Sequence, residues 1–69
     1  MIVLRTERSK RGTLLRMVDD ANTHYDYHDI VIEMFRVYDD GDCAWLPCSD
    51  RYRRIEDATK EFNNKLLNE

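Results

Sequence analysis

Asp29-Ile-Val-Ile-Glu-Met-Phe-Arg-Val-Tyr-Asp-Asp-Gly-Asp-Cys-Ala-Trp-Leu-Pro-Cys48 reads as a long strand, a tight turn and a second strand. β-Branched and aromatic side chains fill Ile30 to Tyr38, the composition of a pleated, half-buried ribbon. Asp40-Gly41 sits where a two-residue type I′ turn needs residues that tolerate positive φ. With that turn Asp39 faces Asp42, Tyr38 faces Cys43, Arg36 faces Trp45 and Met34 faces Pro47. Alternation then puts Phe35, Val37, Ala44 and Leu46 on one face, read as core. Ile32, Met34, Arg36, Tyr38 and Trp45 share the other, where Arg36 opposite Trp45 suits a cation–π contact of about 0.5–1 kcal/mol. A three-residue loop with a bulge slips this register by one and sets Trp45 opposite Phe35. The two-residue turn is the expected form.

Outward from this hairpin, Ile2 to Thr6 and Thr13 to Val18 read as a first pair of strands joined by Ser9-Lys10-Arg11-Gly12. Asp19 to Asp29 is polar and lacks helical periodicity, so it is a loop or, from Thr23 onward, the polar start of the long strand. After Cys48, Ser49-Asp50 are helix-capping types, although Tyr52 to Ile55 could first extend the strand. Ile55, Ala58, Phe62 and Leu66 then recur at helical spacing, with Glu56 to Lys60 and Glu61 to Lys65 as supporting i,i+4 pairs. The pattern predicts an α+β fold: a four-stranded antiparallel sheet of two hairpins (ββββα), with a C-terminal amphipathic helix over 55–67 on one face. That helix is expected on the Phe35, Val37, Leu46 face, so Phe35 and Phe62 are both read as core. Pro47 cannot donate a ladder hydrogen bond, which puts the last strand at an edge.

A chain of 69 residues forms one domain with a thin stability margin and little room for a deep cleft. Its 42% hydrophobic and 36% charged content fits a compact domain with a heavily solvated surface rather than a disordered tail. No run approaches the ~20 apolar residues of a membrane span, and Met1-Ile2-Val3-Leu4 runs at once into charge without the apolar core of a signal peptide. A cytosolic location is the expectation, with no membrane partner. Cys43 and Cys48, five apart in one strand, fall on opposite faces roughly 16 Å apart and are read as free thiols.

The net charge of −3 conceals a partition. Residues 1–17 carry +4, residues 18–50 carry −8 and residues 51–69 carry +1, an asymmetry that speaks to partners rather than fold. Arg5, Arg8, Lys10, Arg11 and Arg16 gather on the first hairpin, either as a solvated turn that protects a sheet edge or as a phosphate-contacting finger. Tyr25 and Tyr27 amid acids resemble a protein-binding surface, or else a hydrated connection covering the end of the core.

His24-x3-His28 followed by Cys43-x4-Cys48 contains structural-zinc ligand types, but the strand register sets Cys43 far from His28, so no metal is expected. No cysteine is placed beside a histidine and a third group, no carboxylates pair in a dry pocket, and no phosphate-binding glycine loop is present. The expectation is no catalytic residue, no cofactor and no enzyme activity.

A very short, acidic, β-rich chain with reduced thiols, closing on one amphipathic helix, resembles the small phage-borne antagonists of host defence, including anti-CRISPR proteins. The resemblance lies in size and architecture; it transfers no functional residue. It implies an inhibitor or adaptor that binds another protein, of the nucleic-acid-binding or host-defence kind. The residues expected to do so are Asp19, Asp20, Tyr25, Asp26, Tyr27, Asp29, Met34, Arg36, Tyr38, Asp39, Asp40, Asp42 and Trp45. On this reading the acids imitate the spaced charges of a nucleic-acid backbone. A second copy of the chain is among the candidate partners. The alternative is direct nucleic-acid binding through Arg5, Arg8, Lys10, Arg11 and Arg16, against which the overall acidity counts.

Overall fold

Two glycines set the sheet. A computed structural model describes residues 1–21 and 28–69. In it Gly12 and Gly41 both sit at φ +91°, the left-handed conformation that L side chains rarely adopt. The two hairpins use the same loop. Ser9 N–H donates to Thr13 O and Gly12 N–H to Ser9 O; Tyr38 N–H donates to Asp42 O and Gly41 N–H to Tyr38 O. Each is a three-residue loop in which glycine alone takes positive φ and bulges the following strand.

The strands are β1 (Ile2–Arg8), β2 (Leu14–Asp19), β3 (Ile30–Val37) and β4 (Cys43–Pro47), followed by α1 (Ile55–Asn68). They form one antiparallel sheet in the order β1-β2-β3-β4, so β4 with Pro47 is an edge, as its proline requires. The expected α+β architecture of two hairpins and a terminal helix is therefore the one observed.

The register is not the expected one. Phe35 pairs with Trp45, Val37 with Cys43, Met34 with Leu46 and Glu33 with Pro47. The loop holds three residues rather than two, and the one-residue slip reverses the faces of β3. Ile30, Ile32, Leu15, Met17, Ala58 and Phe62 form the core, with Leu4, Met34, Cys48, Tyr52 and Leu66 packed against it. The helix thus covers the Ile32 and Met34 face. Phe35 and Val37 lie on the face it leaves uncovered, the reverse of the expectation, while Trp45 lies on the open face and Leu46, paired with Met34, on the helix side, both as expected.

Beyond β4 the chain keeps hold of β3. Cys48 N–H donates to Ile32 O, Ser49 Oγ accepts from Ile32 N–H, and Tyr52 exchanges both backbone bonds with Ile30. Ser49 stands in for a ladder carbonyl, so Ser49 and Asp50 are not helix caps; Arg54, in an extended conformation, precedes the first turn with no side-chain cap. Glu56 and Asp57 in that turn complement the helix dipole. At the other end, the last helical carbonyls are met by the β1–β2 turn: Lys10 N–H donates to Leu66 O, Arg11 N–H to Glu69 O, and the Ser9 hydroxyl to Glu69 O. This satisfies helix-end acceptors that otherwise lack partners.

Candidate protein-binding face

Strand alternation and the observed register arrange the uncovered face in rows. One row runs Arg8, Leu14, Phe35, Trp45; the next runs Thr6, Arg16, Glu33, Pro47. Val37 and Cys43 lie beyond the first row, at the hairpin end, and Val37 is 64% exposed. At the opposite end Val18 and Val31 are already buried. The free part of the face is therefore its hairpin half.

Its centre is aromatic and held rigidly. Phe35 and Trp45 rings sit 5.2 Å apart at 56°, a tilted pair. The Arg16 guanidinium stacks 4.3 Å from the Trp45 ring centre while its Nε donates to Glu33 Oε1 at 2.7 Å. Both ends of that ion pair are mostly shielded from water, so it fixes the arginine and with it one side of the indole. Arg16 from β2, not the expected Arg36, stacks on Trp45: Arg36 points to the helix side of the sheet and lies 5.5 Å from the Tyr38 ring.

The other expected binding residues fall in several places. Met34 packs against the core beneath the helix and is not on the open face. Asp19 is 8% exposed and anchors the β2–β3 connection: its carboxylate accepts from Ala21 N–H, Asp29 N–H and the His28 ring. Burial works against its charge, but those donors outweigh it and hold the Asp19 pKa below its ordinary value. Asp20 and Asp29 lie against Arg51, at 3.6 and 3.0 Å. These three acids are engaged inside the chain. Asp39, Asp40 and Asp42 remain exposed in the β3–β4 turn, where Asp40 Oδ1 accepts from Asp42 N–H. Tyr25, Asp26 and Tyr27, with His24, lie outside the described residues.

The basic hairpin is also partly committed. Arg5 stacks 4.7 Å from the Phe62 ring and reaches Asn63 and Glu7 on the helix side. Arg8 donates to Gly12 O, and the backbone of Lys10 and Arg11 caps the helix. Cys43 is exposed on the open face, whereas Cys48 packs against the core, and burial raises its thiol pKa. Among the described residues no three His, Cys, Asp or Glu side chains converge as metal ligands. An open depression of about 690 Å³ lies beside the helix, lined by Tyr52, Asp57, Lys60, Glu61 and Asn64. Among the described residues no helix is long and apolar enough to cross a membrane.

Sequence reasoning missed Phe35, Arg16 and Arg8 as residues of one surface. The signal was present: Ser9-Lys10-Arg11-Gly12 and Tyr38-Asp39-Asp40-Gly41 share glycine at the fourth position, the signature of the bulged three-residue loop. Comparison with protein-family models, curated proteins and solved structures gives no match for this chain.

Proposed function

We infer that this protein is a non-enzymatic protein-binding module acting in the cytosol, of the inhibitor or adaptor kind its resemblance to small phage-borne antagonists of host defence implies. The observation that carries this reading is the hairpin half of the open sheet face. There Phe35, Trp45 and Val37 present apolar and aromatic area, Arg16 is pre-set on the indole, and Asp39, Asp40 and Asp42 form a charged rim. Rigid aromatic anchors ringed by polar groups are the usual composition of an interface centre. Among the described residues, the acids expected to imitate nucleic acid contract to that rim, since Asp19, Asp20 and Asp29 are engaged within the chain.

The test is affinity capture from lysate with three folded proteins: wild type, Trp45→Asn, and a variant with Asp39, Asp40 and Asp42 changed to Asn. The reading expects partners recovered by wild type and lost with Trp45→Asn, the acidic variant showing reduced recovery. Equal recovery by all three removes the face from the account.

A further inference from the structure

We propose that the partner of this open face is a second copy of the same chain, docked face to face about a twofold axis parallel to the strands. The inference rests on the protein-binding reading above and names its occupant. The strands are antiparallel in sequence order, so the β1–β2 turn and the β3–β4 turn lie at the same end of the sheet. One is basic, with Arg8, Lys10 and Arg11; the other is acidic, with Asp39, Asp40 and Asp42. A twofold along the strands sets β1 of each copy over β4 of the other at the same height. The basic turn of each copy then meets the acidic turn of its partner.

The rows of the face obey the same symmetry. Reversed upon itself, Arg8–Leu14–Phe35–Trp45 brings Arg8 over the second copy's Trp45 and Leu14 over its Phe35. Thr6–Arg16–Glu33–Pro47 brings Arg16 over the second copy's Glu33 and Thr6 over its Pro47. Cation meets aromatic in the first row and carboxylate in the second, and apolar meets apolar where Leu14 lies over Phe35. Sheets packed face to face stand about 10 Å apart, a gap that side chains of these sizes span. A twofold across the strands instead carries each turn over the far end of the other copy, away from opposite charge. Since Val18 and Val31 are already buried, contact centres on the hairpin half, only part of one face of a small sheet. The dimer is accordingly weak, concentration-dependent and salt-sensitive.

Sedimentation velocity on the full chain tests this, from about 10 μM to about 1 mM, at low and high salt. Wild type is expected to move from monomer to dimer across this range, with association weakened several-fold by salt. Two charge-reversed variants decide the axis: Arg8→Glu with Arg11→Glu, and Asp39→Lys with Asp42→Lys, each checked for native circular dichroism. Alone, each sets like charge on like and is expected to weaken association at least about tenfold; mixed in equal amounts, they are expected to associate again as a heterodimer. A wild type that stays monomeric throughout overturns the proposal, and so does a mixture that fails to recover association. If wild type is monomeric yet still captures another protein in a Trp45-dependent way, the second copy is excluded while the protein-binding reading survives.

Discussion

Asp19 shows how one buried carboxylate can hold a connection closed. It accepts two backbone N–H groups, from Ala21 and Asp29, and pairs with the His28 ring at 2.7 Å. Its folded pKa lies below its ordinary value, so the unfolded chain binds the proton more tightly. The stabilisation is therefore complete above about pH 4, the ordinary range of an aspartate, and drains as pH falls through the folded value. Urea midpoints of wild type and Asp19→Asn across the acid range should converge below about pH 4; a gap that stays constant with pH would show that the charge of Asp19 contributes nothing. At neutral pH Asp19→Ala leaves two backbone donors without their acceptor and should cost roughly 1–3 kcal/mol. The two thiols offer a second check. Cys43 is exposed and Cys48 packs against the core with its pKa raised by burial, so iodoacetamide should modify Cys43 first in the native protein. Peptide mapping that finds Cys48 labelled as fast would contradict the placement of the 48–52 segment against β3.

Which face of the sheet the helix covers is a question of elements, and two phenylalanines answer it. Phe62 is fully buried between α1 and the Ile32 face, whereas Phe35 is half-buried on the opposite face. Phe62→Ala should cost about 3–5 kcal/mol, most of the roughly 3–10 kcal/mol expected for a domain of this length. Phe35→Ala should cost only about 1–2 kcal/mol, from partial exposure and the lost Trp45 pair. Equal costs in chemical denaturation would argue for the opposite packing. The elements themselves were legible, because β-branched runs, helical spacing after Ile55 and Pro47 at an edge each report local chemistry. The face was not, because it hangs on a single loop residue. Asp40-Gly41 is compatible with a two-residue turn, but that turn demands positive φ of both residues, and among the described residues no side-chain-bearing residue takes it. Glycine alone bears the left-handed conformation, the loop gains a residue, and β4 slips by one against β3, so that Phe35 and Val37 exchange faces with Ile32 and Met34 while Trp45 and Leu46 keep theirs. Nothing crowds a Cβ at Gly12 or Gly41, so alanine at either should cost about 1–2 kcal/mol through backbone strain alone.

At the scale of the whole molecule the charge partition read in the sequence becomes a geometric one. The basic β1–β2 turn, with Arg8, Lys10 and Arg11, and the acidic β3–β4 turn, with Asp39, Asp40 and Asp42, meet at one end of the sheet, on neighbouring hairpins, rather than at opposite poles. A polyanion approaching Arg8, Lys10 and Arg11 thus meets Asp39, Asp40 and Asp42 within a few strand spacings of about 4.8 Å, inside a Debye length at ordinary salt. The basic turn is also less free than an open finger, since its backbone is fixed on the last carbonyls of α1. One feature favours nucleic acid: the fold carries Arg16 onto Trp45, giving the basic strands the aromatic neighbour that residues 1–17 lack. That indole already has a guanidinium on one side, and Glu33 neutralises the same arginine. The expectation is no retardation of single-stranded or duplex oligonucleotides even at about 0.01 M salt, where screening reaches out to ~30 Å. A retarded band that fades steeply with added salt, and disappears with Arg8→Ala plus Arg11→Ala, would replace the protein-binding reading with a phosphate-contacting one. Loss of that band with Trp45→Ala as well would identify the open face as a base-stacking platform.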